Sequence, residues 1–205
     1  MYSLEDKICR QLDREGCGWC FSGKDFTTLG GRSAIDVVLH RLEKSGSIRR
    51  IIRGLYDYPE SSNLLKRQLS PNINQVAHAL ARKFRWKIQP TGATALNYFG
   101  LSTQVPGRLI YLTDGPKRSY DIMGTTLEFN NVGLKESKLK YPQSELVVQA
   151  LKSLSEDRVD DPAIATIRER LTATERNKIL HDTQYITGWI YGIIKKICRE
   201  EELHG

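Results

Sequence analysis

Apolar residues recur at helical spacing from the start of the chain. Leu4, Ile8 and Leu12 fall at steps of four and predict an amphipathic helix over residues 3–14, with Ser3 as its N-cap. Gly16-Cys17-Gly18 interrupts the pattern. Ser22 and Asp25 then form an S-x-x-D capping pattern that opens a second short helix, with Phe26 and Leu29 turned inward. After Gly30-Gly31, Ile35, Val38, Leu39 and Leu42 line one side of a third helix over residues 32–44, which Ser45-Gly46 stops. Its other side carries Arg32, Ser33, Asp36, Val37, His40 and Arg41. From Ser47 the period shortens. Ile48, Ile51 and Ile52, interleaved with Arg49, Arg50 and Arg53, predict a basic strand that turns at Gly54 and returns through Leu55 and Tyr56 to Pro59.

Farther on, residues 60–70 read as a polar linker, and Ser70-Pro71 opens a helix striped by Ile73, Val76, Ala77, Leu80 and Phe84. Residues 86–88 predict a short strand, and residues 91–99 a helix stopped by Gly100. Strands are expected at residues 108–112, 119–123 and 125–129, the first two joined by the turn Asp114-Gly115-Pro116. Beyond Pro142 the pattern is helical. One stripe begins at Ser144, a second helix at Asp161-Pro162 and a third at the Thr172–Glu175 capping box. Asp182 is placed to cap the last, which carries Ile186, Trp189, Ile190, Ile193, Ile194 and Ile197.

These elements give an α+β chain in three parts: residues 1–60, a basic mixed segment 61–142, and a helical C-terminal region 143–205. Two helices followed by a basic hairpin are the order of a winged helix-turn-helix, which sets one helix in the major groove of DNA and a basic loop on flanking phosphates. Helix residues Arg32, Ser33, Val37, His40 and Arg41 and hairpin residues Arg49, Arg50 and Arg53 are the candidate DNA contacts. Strand alternation turns only some of the three hairpin arginines towards a duplex. Gly54, Tyr56 and Pro59 read as architecture: a turn, a side chain packed beneath it, and a strand end. The same faces also suit a winged helix that docks a protein.

Charge changes this picture in one respect. The formal net charge of +7 favours an anionic partner. Residues 1–60 hold only +1 of it, however, against +8 in residues 61–140 and −2 in residues 141–205. Arg82, Lys83, Arg85 and Lys87, with Lys117 and Arg118, therefore form a candidate second basic surface for nucleic acid or an acidic protein, although cations at a helix C-terminus also need no ligand.

Other chemistry finds little footing. Cys17 and Cys20 form a C-x-x-C without the second ligand pair that zinc requires, and are expected to fill a seam between helices, so neither metal nor cofactor is expected. Cys9 and Cys198 complete the free thiols of a reducing compartment. His40, His78, His181 and His204 lack a neighbouring nucleophile or paired carboxylates, so no catalytic residue is expected, though an active site assembled from distant residues stays open. The charged N-terminus and the lack of a long apolar run predict a cytoplasmic protein without a membrane span. The isoleucine-rich last helix is either a packed helix or the seam of a homodimer or partner.

The segment around Arg32, Leu39 to Leu42 (LHRL), Gly46 and Ile48, closed by Arg53, Gly54, Tyr56 and Pro59, resembles the AbiEi family of antitoxins. The resemblance continues through ALNYFGLSTQVPGRLIYLTDGPKR, residues 95–118, and spans residues 20–130. It implies a winged-helix autorepressor that binds operator inverted repeats in double-stranded DNA. It further implies an antitoxin of a toxin–antitoxin, phage-defence operon that opposes a nucleotidyltransferase-type toxin and is not itself an enzyme. A protein-interaction module without DNA binding and a cryptic nucleic-acid-processing enzyme are the rival readings.

Overall fold

The computed structural model describes residues 2–62, 66–102, 107–132 and 139–198. The fold mixes helices and sheets, and the chain divides into two compact units: residues 1–88 with 119–127, and residues 89–118 with 128–205. These units cut across the three-part division, because the first helix of the middle segment belongs to the same unit as residues 1–60.

The first unit opens with α1 (Leu4–Glu15). Ser3 and Asp6 exchange side-chain and backbone hydrogen bonds in a capping box at its start, and Gly16 ends it at φ +87°. A two-residue strand that the sequence did not signal, β1 (Cys20–Phe21), follows. The expected second helix is a single 3-10 turn, Gly23–Phe26, carrying the expected Ser22–Asp25 capping box. Glycines lie on both sides of so short a segment and leave no room for an α-helix to propagate. Next come α2 (Arg32–Lys44), β2 (Arg49–Ile52) and β3 (Leu55–Asp57), with Gly54 at φ +70° in the turn between the strands.

Strand β3 lies in the middle of an antiparallel sheet of order β1–β3–β2. Ile8, Leu12, Phe21, Phe26, Ile35, Leu39 and Ile48 bury themselves around this sheet and form the core. Phe21 is its aromatic centre, 5.0 Å from Trp19, 5.3 Å from Phe26 and 6.0 Å from Tyr56 between ring centroids.

The segment read as a linker contains a two-stranded pairing, β4 (Ser61–Ser62) with β5 (Arg67–Gln68). Helix α3 (Ile73–Phe84) starts later than Ser70-Pro71. Asn72 is its cap, taking the amides of Asn74 and Gln75 at 3.0 and 3.3 Å. The strand expected at residues 86–88 is displaced to β6 (Ile88–Pro90), because Trp86 instead stacks on Phe84 at 4.7 Å.

Then come α4 (Gly92–Phe99), β7 (Arg108–Thr113), β8 (Arg118–Ile122) and β9 (Thr125–Asn131), the strands forming a sheet of order β6–β7–β9–β8. Gln104 and Pro106, in the segment that carries the middle part of the resemblance, lie outside the described residues, as does His204.

The second unit is completed by α5 (Pro142–Leu154), α6 (Asp161–Glu169), α7 (Ala173–Asp182) and α8 (Gly188–Cys198). Helix α5 begins two residues before Ser144, with Pro142 in its first turn. Asp182 does not cap the last helix: its carboxylate accepts the amides of Lys140 and Tyr141 at 3.0–3.1 Å and so secures the entry to α5. The stripe of α8 is core, with Ile190, Ile194 and Ile197 buried among Leu146, Val147, Leu151, Ile167 and Ile179. No helix among the described residues is long and apolar enough to cross a membrane.

Thr94, on α4, joins that helix to β7. Its hydroxyl donates to the Ile110 carbonyl at 2.8 Å, which the Thr91 amide also reaches at 3.1 Å, and accepts the Ile110 amide at 2.9 Å, so one buried side chain engages both backbone groups of a strand residue. Thr94→Val keeps the shape and removes both bonds. It is expected to destabilise the protein by about 1–3 kcal/mol, read as a lowered urea midpoint, whereas an unchanged midpoint refutes this role.

Candidate nucleic-acid interface

Helix α2 starts without a side-chain cap on Gly31 and with no acid in its first turn, so its N-terminal field is left positive. Its inner side is buried and the opposite one is open: Arg32, Ser33, Asp36, Val37, His40 and Arg41 are all exposed. Val37 is 50% exposed, which leaves an apolar side chain in the middle of a polar face.

Two flanks can be told apart on that face. Ser33, Val37 and Arg41 line a groove of about 640 Å³ whose other wall is the start of α1, with Glu5 and Asp6. Arg41 reaches Glu5 across it at 3.5 Å. On the other flank Arg32 pairs with Asp36, its Nε lying 2.9 and 3.0 Å from the two carboxylate oxygens. Both pairs are solvated and worth only about 0.2–1 kcal/mol, so neither holds its arginine against a better acceptor.

The hairpin lies beside the Arg32 flank. Tyr56 stacks on Phe21, and burial first, then the carboxylate of Glu43, pushes its hydroxyl up from the usual tyrosine range. The three hairpin arginines have different fates. Arg49 faces Asp57 in register and binds its carboxylate through Nε at 3.1 Å and Nη2 at 2.5 Å. Asp57 is 1% exposed, so this arginine is committed to the fold and is removed from the expected set of DNA contacts. Arg50 and Arg53 are exposed, and neither side chain has a partner among the described residues. Pro59 follows the end of β3.

The expected second basic surface is also divided. Arg82 donates to Asp25 Oδ1 at 2.9 Å and to the Cys20 carbonyl at 2.6 Å, and lies 5.9 Å from the Trp19 ring. Lys83 donates to the carbonyls of Arg53 and Gly54, both at 3.1 Å. These two residues fasten α3 to the 3-10 turn, to β1 and to the hairpin, which is why they are not a free patch. Lys24, which no sequence pattern singled out, joins them by donating to the Lys83 carbonyl at 2.7 Å. Arg85 ends α3 at φ +61° and is exposed, as is Lys87. Lys117 and Arg118, in the second unit, are exposed too, and Lys117 lies 3.9 Å from Glu128.

Residues 7–179 match the model of a family described as a family of unknown function, DUF6088. The chain belongs to the DUF6088 family. No curated protein matches it. Among solved structures it is similar to the RV2827C protein from Mycobacterium tuberculosis, at 11% identity and a TM-score of 0.42, over 97% of this chain and 77% of that one.

In this DUF6088 member the cysteines are not equivalent. Cys17 is exposed and so does not fill a seam between helices, whereas Cys20 is buried in β1. Among the described residues no group of three or more His, Cys, Asp or Glu side chains is placed to hold a metal ion. Burial pushes the thiols of Cys20 and Cys198 up to about 12 and about 11.

At pH 8 a thiol of pKa about 12 is ionised only to about one part in ten thousand. Iodoacetamide is therefore expected to modify native Cys17 well before Cys20 or Cys198, as read by peptide mass mapping; early modification of Cys20 contradicts its buried place. Arg49→Met strands the Asp57 carboxylate and is expected to cost about 3 kcal/mol in thermal or urea unfolding. Exposed Arg50→Met is expected to cost less than about 0.5 kcal/mol. Equal effects of the two substitutions refute the assignment of Arg49 to the fold.

Proposed function

We propose that the first unit is a winged helix-turn-helix, with α2 as the helix that enters the major groove and the β2–β3 hairpin as the wing, and that the protein binds duplex DNA. The supporting observation is the open face of α2 set beside a hairpin whose Arg50 and Arg53 have no side-chain partner among the described residues. Arg32 and Ser33, at the start of α2, take base edges or the nearest phosphate. Val37 meets a thymine methyl, and His40 or Arg41 a phosphate farther along. The exposed Arg32–Asp36 pair opens at small cost, which frees the guanidinium for a guanine or a phosphate.

The biological role rests on the resemblance of residues 20–130 to the AbiEi antitoxins. In this reading the protein is a cytoplasmic, non-catalytic autorepressor that binds inverted repeats upstream of its own operon. As an antitoxin it opposes a nucleotidyltransferase-type toxin encoded beside it, by direct contact or at the toxin's target.

The test measures fluorescence anisotropy of the upstream intergenic duplex as salt is raised. The wild type is expected to bind tightly and sequence-selectively. Arg50→Ala/Arg53→Ala is expected to weaken binding and to lower the slope of log K against log salt by about two, roughly one per lost phosphate contact. Unchanged binding by that variant, or a wild type with no preference for the upstream sequence, overturns the repressor reading. Growth rescue on co-expression with the neighbouring gene tests the antitoxin role, which fails if that gene is harmless alone or remains toxic with its partner.

A further inference from the structure

Two lysines from outside the helix and hairpin converge where α2 begins and the hairpin turns. Lys24, on the 3-10 turn, is tied by its Nζ to the carbonyl of Lys83 at 2.7 Å. Lys83, in the last turn of α3, places its own Nζ beneath the hairpin turn, 3.1 Å from the carbonyls of both Arg53 and Gly54. The approach is close enough that a Cβ on Gly54 would stand 3.1 Å from that nitrogen. Arg32 completes the group, since a Cβ on Gly23, the residue before Lys24, would stand 3.7 Å from the arginine Nε. Burial first, then the charges of Arg32 and Lys24, hold the Lys83 ammonium below the usual lysine range.

The neighbouring acids leave this charge largely uncompensated. Asp25 is taken by Arg82 at 2.9 Å. Asp36 takes only the Nε of Arg32, so both terminal amino groups of that guanidinium have no partner among the described residues. Lys24 uses one ammonium proton and Lys83 two, out of three each, and the Lys83 ammonium also lies 5.5 Å from the centre of the Phe84 ring. Arg49 and Arg82 are different, because the carboxylate that each holds is buried, Asp57 at 2% and Asp25 at 12% side-chain exposure, whereas Asp36 beside Arg32 is 53% exposed and solvated. Like charges gathered with unused donors and one solvated carboxylate are stabilised by an anion, and a phosphate offers several oxygens to converging donors.

We propose that Lys24, Arg32 and Lys83 hold a single phosphate, which in the DNA complex is a backbone phosphodiester of the duplex between α2 and the hairpin. This rests on the DNA-binding reading and adds to it two residues from outside the helix–hairpin pair. It also gives α3 two tasks at the interface: Lys83 props the hairpin turn through its carbonyls and turns its remaining donor to the phosphate.

The test compares wild type, K24M/K83M, the charge-keeping K24R/K83R and K152M, the last altering an exposed lysine of α5. Binding of a short random-sequence duplex is followed between roughly 50 and 200 mM KCl. In parallel, backbone amide shifts at Gly23 and Gly54 are followed as inorganic phosphate is added against chloride of equal ionic strength. K24M/K83M is expected to lower the salt slope by about one unit and to lose the phosphate-induced shifts, while K24R/K83R and K152M keep both. Single K24M, which removes one internal bond and leaves the prop under the hairpin in place, is expected to weaken both responses and so separates anion binding from loss of structure.

A wild type that binds the duplex while K24M/K83M keeps its slope overturns the site and leaves the DNA reading standing. A wild type that ignores the duplex but shifts with phosphate keeps the site as one for a free phosphate and removes the DNA reading. A wild type that does neither overturns both.

Discussion

The hairpin beside α2 depends on one buried carboxylate. Strands of two to four residues bury too little to persist alone, and β3 is held because Asp57 lies on the middle strand, opposite Cys20 on one side and Arg49 on the other. An almost fully buried aspartate is tolerable only with its cation in place, so Arg49 is fixed at the open end of the hairpin. Lys83 supports the other end at the turn. The directions of Arg50 and Arg53 follow from these two supports: strand alternation sends Arg50 away from Arg49, and the irregularity between Arg50 and Ile52 resets the register before the turn.

Net charge therefore describes this molecule poorly, and local balance describes it well. The middle segment carries most of the positive excess, yet Arg82 and Lys83 fasten α3 within the first unit, and Arg108 and Lys117 both lie near Glu128. The first sixty residues are nearly neutral in sum, yet among the described residues Lys24, Arg50 and Arg53 have no carboxylate beside them, because Asp25 is drawn off by Arg82 from α3 and Asp57 by Arg49. A carboxylate held inside an ion pair no longer screens the lysine next to it in sequence.

The same distinction explains what could be read from the residues. The long helices were legible because an apolar stripe repeated over three turns has few alternatives: the bounds of α2 and the inward side of α8 follow from Ile35 to Leu42 and from Ile190 to Ile197. Local caps were legible as well, at Ser3, Ser22 and Thr172, since each acts within three residues. What was hidden is non-local or too short to show a period. Two residues at Cys20–Phe21 have no alternation to detect, and Asp182 holds the chain entering a helix about forty residues earlier. At the candidate site, the open face of α2 was visible as a polar stripe. The separation of Arg49 from Arg50, and the arrival of Lys24 and Lys83, required the fold.

Whatever meets the helical region meets it on other terms than the isoleucine stripe suggests. Ile190, Ile194 and Ile197 cannot both fill the core with α5, α6 and α7 and present a seam, because their surface is already removed from water. What α8 offers to solvent is Lys195 and Lys196, the first lying 5.3 Å from the Tyr191 ring, with half-buried Trp189 and Ile193 beside them. A surface of that kind attracts by charge first and adds apolar contact at close range.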